Sequence, residues 1–80
     1  MPGLNFDDLS IYCQLGKRVA YLRSLKGLSQ LDLALAAGLA PSFVSEVEKG
    51  KRNPSLKTLV RLSEALDVSL EELLRGIGPL

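Results

Sequence analysis

Histidine and tryptophan are missing from this chain altogether, and cysteine occurs only once. Without histidine, the commonest general base and metal ligand is gone. A lone Cys13 closes no internal disulfide and anchors no multi-cysteine metal site. Beside Tyr12 and Leu15 it reads as a small core residue. There is no glycine-rich phosphate loop, and the carboxylate pairs Asp7-Asp8 and Glu71-Glu72 are immediate neighbours whose side chains diverge on a helix. These absences speak against an enzyme, and no cofactor, metal or small-molecule ligand is expected.

Long apolar runs are also absent. None approaches the roughly 20 residues of a membrane span, and acids stand at the front where a signal peptide needs bases. A cytoplasmic location without membrane association is the expectation. Strong charge of either sign is lacking too: 10 basic residues face 9 acidic ones, for a net +1. The distribution is less even. Lys17, Arg18, Arg23 and Lys26 form one basic segment, and Lys49, Lys51, Arg52 and Lys57 a second, with most acids outside both. That pattern fits a solvated mixed surface as well as it fits a binding face.

What the chain does contain is Leu, Val and Ala. Only two Tyr and two Phe are available, so an aliphatic core is expected, which suits helices better than strands. Eighty residues allow one domain, 1–80. A chain this short buries about 60% of its unfolded surface, so part of its 46% apolar content can be left for a partner subunit to cover.

Breaks at Gly27, Gly38, the Gly50-to-Pro54 stretch and Gly76 through Pro79 separate segments of helical periodicity. Residues 9–26 predict a first helix, with Leu15, Val19 and Leu22 on one face, Asp7 or Asp8 as cap and Gly27 as stop. Gly16 offers an alternative boundary between an N-terminal extension (1–14) and the helix proper. Ser29 with Asp32 forms a capping box for a second helix to Ala37. Pro41 suits the first position of a third helix ending at Gly50. Ser55 caps a fourth helix to Leu66, its wet stripe Lys57, Arg61 and Glu64, with Leu56, Leu59, Val60, Leu62 and Leu66 filling most of the rest. Ser69 with Glu72 reads as another capping box, opening a short fifth helix through Arg75. An all-α, compact five-helix bundle is the expected architecture.

Residues 29–50, SQLDLALAAGLAPSFVSEVEKG, carry most of the information. A helix, a short turn containing glycine and a second helix make a helix-turn-helix. Ala34 is small where the helices cross, and Leu33, Ala37, Val44 and Val47 take inward positions. The third helix then exposes Ser42, Ser45, Glu46 and Lys49 as one polar stripe, spaced i, i+3, i+4, i+7. Such a stripe can meet base edges in a major groove, or it is simply the wet side of a surface helix.

Leu15-Gly16, Leu22-Arg23, Gly27-Leu28-Ser29-Gln30, Leu33-Ala34, Gly38, Val44-Ser45, Val47-Glu48-Lys49-Gly50-Lys51, Pro54, Leu59 and Leu66 stand in one order and spacing. Together they resemble the lambda-repressor/Cro-like (XRE) helix-turn-helix family over roughly residues 15–75. The resemblance implies a five-helix fold and sequence-specific binding of double-stranded DNA by a transcriptional regulator. It further implies that Gln30 holds a phosphate at the edge of a half-site. By the same likeness Ser42, Ser45, Glu46 and Lys49 contact bases, Lys51, Arg52 and Asn53 clamp the backbone, and Arg23 with Glu48 forms a structural ion pair. A phosphate contact is the rival role for Arg23.

Some positions depart from the family. Ala40 replaces the Ser or Thr that caps the third helix, at a typical cost of about 1 kcal/mol. Glu46 is unusual at a base-reading position: it either accepts from cytosine N4–H₂ or pairs with Lys49 or Lys51. Phe43 either packs on the core or meets thymine methyls. Leu31 and Leu35 stand where the family tends to be polar, to be covered by Leu4, Phe6 and Leu9 or by another chain.

One recognition helix covers few base pairs, so a homodimer on a palindromic operator is expected. Its interface is assigned to the helix and tail at 69–80, through Leu70, Leu74, Ile77 and Leu80, although Leu70 and Leu74 can instead complete the monomer core. Small stand-alone regulators such as restriction-modification controller proteins, phage repressors and some antitoxins share this size. The alternative function is a protein-interaction module or antitoxin that keeps the fold with little operator binding.

Overall fold

A computed structural model describes residues 10–78 of the chain. Among them lie five helices and no strand: α1 (Ile11–Leu25), α2 (Gln30–Ala37), α3 (Pro41–Glu48), α4 (Leu56–Ala65) and α5 (Leu70–Leu73).

Local chemistry places most boundaries. Ser29 and Asp32 form a complete capping box at α2: Asp32 N–H donates to the Ser29 hydroxyl at 2.9 Å and Ser29 N–H to the Asp32 carboxylate at 2.9 Å. The Ser29 backbone N–H first, and then the Ser29 hydroxyl, hold the exposed Asp32 carboxyl below its ordinary range. Ser55 accepts from Thr58 N–H at the start of α4. At α3, Ala40 supplies no side-chain cap, and Pro41 stands in the first turn, where a missing N–H costs nothing. Gly38 ends α2 at φ +69°, a left-handed conformation that turns the chain toward α3.

The start of α1 and the short helix α5 differ from the sequence expectation. Helix α1 is capped by Ser10, which accepts from Cys13 N–H at 3.3 Å, rather than by Asp7 or Asp8, which lie outside the described residues. Helix α5 is a single turn ending at Leu73 rather than Arg75. Its capping box is half made. Ser69 accepts from Glu72 N–H at 3.0 Å, but the Glu72 carboxylate goes to Arg18 at 2.7 Å and Arg75 at 2.9 Å. A charge-assisted pair outcompetes a neutral backbone N–H for the same oxygens.

The core is aliphatic throughout: Leu15, Val19, Leu22, Leu33, Ala34, Ala37, Val44, Val47, Leu62, Leu66 and Leu73 are buried, drawn from every helix. Gly16 does not break α1. It is buried in mid-helix, where an added Cβ would lie 2.5 Å from the carbonyl oxygens of both Val47 and Glu48. Only glycine lets α1 rest directly on the C-terminal turn of α3.

On α4 the buried arc is narrower than expected. Leu62, Ser63 and Leu66 are buried and Leu59 half-buried, but Leu56 and Val60 are exposed. Leu56 and Val60, one turn apart, share the edge beside the wet stripe, outside the arc centred on Leu62 and Leu66. Leu31 and Leu35 on α2 are exposed as well, at 52% and 71%, and the segment expected to cover them (Leu4, Phe6, Leu9) lies outside the described residues.

Candidate nucleic-acid interface

Helix α3 is amphipathic over its eight residues. Val44 and Val47 are buried, which leaves Ser42 and Lys49 exposed and Ser45 and Glu46 partly exposed. The helix ends in a Schellman turn. Lys51 N–H donates to Glu46 C=O at 2.9 Å and Gly50 N–H to Val47 C=O at 3.0 Å. Gly50 supplies the φ of +76° this needs, and the turn brings Lys51, Arg52 and Asn53, all exposed, past the end of α3.

Two glutamates on α3 are each held by an arginine, in different surroundings. Glu48 is the inner one. Its carboxylate accepts from Arg23 Nε at 2.7 Å and Nη2 at 2.9 Å, and from Gln30 Nε2 at 2.9 Å. Arg23 Nη1 donates to Leu28 C=O at 2.8 Å. The Arg23–Glu48 pair thus joins α1, the loop before α2, the first residue of α2 and the end of α3. The side chains of Glu48 and Arg23 are only 8% and 19% exposed. The hydrogen bond to Glu48 raises the Arg23 pKa above its ordinary value, against the opposing effect of burial. Gln30 is oriented by this network and retains a second amide N–H.

Glu46 is the outer one. It pairs with Arg52, Nε to Oε1 at 2.7 Å, with both side chains about half exposed. This corrects the expected pairing with Lys49 or Lys51. The turn at Gly50 folds Arg52 back over α3, and its guanidinium stacks 5.3 Å from the centre of the Phe43 ring. Phe43 packs against the core. Lys49 and Lys51 form no ion pair among the described residues.

Part of the basic sequence points elsewhere. Arg18 donates to the backbone C=O and the carboxylate of Glu72, tying α1 to α5. Lys26 pairs with Asp67 at 3.2 Å. Both partners lie more than forty positions along the chain, and no local spacing signals them. Leu70, Leu74 and Ile77 are half-buried and pack on the core, and Gly78 N–H donates to Gln14 at 2.9 Å. Leu74 and Ile77 also line an apolar groove of about 270 Å³ with Ile11, Tyr12, Leu15 and Leu59. Leu80 lies outside the described residues. Among the described residues no helix is long and apolar enough to cross a membrane, and no cluster of metal-ligating side chains occurs.

A family model described as helix-turn-helix matches residues 19–73. The control protein C.SmaI of Serratia marcescens is 35% identical over 78 residues, covering 98% of this chain and 93% of that protein. The transcriptional regulator SinR of Bacillus subtilis is 41% identical over 61 residues, 75% of this chain and 55% of SinR. The crystal structure of the restriction-modification controller protein C.AhdI of Aeromonas hydrophila superposes with a TM-score of 0.76 at 45% identity, over 78% of this chain and 94% of that one. The chain belongs to the helix-turn-helix family of DNA-binding transcriptional regulators, with the lambda-repressor-like fold.

Proposed function

We propose that the chain binds a palindromic operator in the cytoplasm as a homodimer, laying α3 in the major groove of each half-site. Ser42, Ser45, Glu46 and Lys49 meet base edges, while Gln30, Lys51, Arg52 and Asn53 hold the flanking backbone. The observation that carries this reading is the exposed face of α3, bordered by Lys49 and Lys51, which have no ion pair among the described residues, and by a Gln30 amide that Glu48 already orients. Gln30 stands at the N-terminus of α2, where backbone N–H groups add to its pull on a phosphate. The Arg23–Glu48 pair sets the angle of the recognition helix and does not touch DNA.

The second subunit is assigned to the side carrying Leu70, Leu74 and Ile77, with Leu80 beyond the described residues. Support comes from the apolar groove that Leu74 and Ile77 border and from Ile11, which is 45% exposed and lines the same groove. Membership of a family of transcriptional regulators supports this reading, which assigns the chain no enzymatic chemistry.

The salt dependence of binding to a selected duplex tests this. Six or more phosphate contacts require affinity to fall about 10³-fold between roughly 50 and 200 mM salt. A flat response, or no binding at low salt, sinks the reading. Sedimentation of the free protein and of the Leu74→Asp variant tests the dimer, which the variant should dissociate.

A further inference from the structure

We propose that Arg52 is a positioning residue that, braced on Phe43, presents the free oxygen of Glu46 to the exocyclic amino group of a cytosine in each half-site. This inference rests on the DNA-binding reading above and adds the base that one position recognises. An unpaired carboxylate facing DNA meets a dense row of phosphate charges, one per about 1.7 Å of duplex axis. Glu46 is not unpaired. Its Oε1 accepts from Arg52 Nε at 2.7 Å, so the pair approaches the duplex with no net charge. Oε2 has no partner among the described residues, and neither have the two terminal nitrogens of Arg52.

The order of support runs outward from the core. Phe43 packs against the buried cluster, the Arg52 guanidinium lies over Phe43 at 5.3 Å, and Glu46 is held by Arg52. Each side chain limits the rotamers of the next, which is how a recognition group is organised before its target arrives. As an exposed pair in high dielectric, Glu46–Arg52 adds little to stability. A carboxylate oxygen can only accept, and in the major groove the amino groups of cytosine and adenine are the donors. Cytosine N4–H₂ is the donor matched by a single carboxylate oxygen, whereas adenine is read best by a side chain that both donates and accepts. The outward terminal nitrogens of Arg52 remain available to the adjacent phosphate.

The test begins with in-vitro selection of duplexes by the unaltered protein. Affinities of this protein, Glu46→Gln and Arg52→Lys are then measured for the selected site and for the three alternative base pairs at each half-site position. The expected result is one position at which the unaltered protein prefers cytosine by roughly fivefold or more. Both variants should flatten that preference while keeping the preferences at other positions. Arg52→Lys keeps the charge but lacks the planar stack and the Nε–H, so a purely electrostatic Arg52 predicts no change there. The proposal is overturned if no position prefers cytosine, or if either variant weakens binding equally for all four base pairs. Absence of salt-dependent duplex binding by the unaltered protein would instead remove the DNA-binding reading itself. Thermal unfolding of the two variants, expected to match the unaltered protein, separates loss of readout from loss of fold.

Discussion

Glu48 and Glu46 stand two residues apart on the same helix, each bonded to an arginine at 2.7 Å, yet they belong to different parts of the molecule's work. The Glu48 side chain is 8% exposed and has three donors on it; the Glu46 side chain is 41% exposed and has one. Burial accounts for the difference. In the low-dielectric seam between α1 and α3, separating the charges would strand one of them, so the inner pair is part of the architecture. At the surface the same chemistry is nearly neutral for stability, so the outer pair is free to serve recognition. Geometry of an ion pair alone does not tell which role it has. The water around it does.

Removing the inner carboxylate should have the largest effect. Glu48→Ala leaves Arg23 without its partner and Gln30 without its guide, and a loss of about 3 kcal/mol is expected in denaturant unfolding. A loss below about 1 kcal/mol would erase the contrast with Glu46.

The seam can also be pried apart without touching charge. Gly16→Ala places a methyl 2.5 Å from two backbone carbonyl oxygens that cannot swing aside. The better helix propensity of alanine returns about 1 kcal/mol. The steric cost exceeds that, and a net loss of about 1–2 kcal/mol is expected. A more stable variant would show that α1 and α3 are not held this close.

Acid should act on the capping box at the start of α2. The Asp32 carboxyl is held below its ordinary value in the folded protein. Its contribution is therefore complete above the unfolded-state value, about 3.9, and is lost as pH falls through the lowered folded value. Asp32→Ala should destabilise the protein at neutral pH by less than Glu48→Ala. The gap between Asp32→Ala and the unaltered protein should close in acid, as followed by thermal unfolding across pH. A gap constant with pH contradicts the assignment.

Glu46→Ala completes the comparison at the smallest scale. Its unfolding free energy should stay within about 0.5 kcal/mol of the unaltered protein, while its operator discrimination falls. A stability loss as large as that of Glu48→Ala would make both pairs structural.

Much of the architecture was legible in the residues. The capping box at Ser29, the proline that opens α3, the left-handed stop at Gly38 and the Ser55 cap are written within four positions of where they act. So are the inward apolar positions of α2 and α3. Local signals also misled where a distant partner intervened. Glu72 stands three residues after Ser69, as a capping box requires, but Arg18 claims its carboxylate. Gly16 resembles a helix break in sequence, and only the approach of α3 shows why a glycine is needed inside the helix. Leu56 and Val60 have core-like identity but lie at an exposed edge of α4.

The interface divides the same way. Periodicity alone exposes Ser42, Ser45, Glu46 and Lys49 once Val44 and Val47 are buried. The partners of Glu46 and Gln30 are another matter. They depend on how the chain folds back at Gly50 and on where α2 begins relative to the end of α3.

The sequence by itself determined the helices, their caps and the order of the helix-turn-helix, because hydrogen bonds and periodicity within a few residues specify them. Only the tertiary structure decided which of two arginine-held glutamates is scaffold and which faces outward. That distinction depends on solvent exclusion, and exclusion is a property of packed helices rather than of neighbours along a chain.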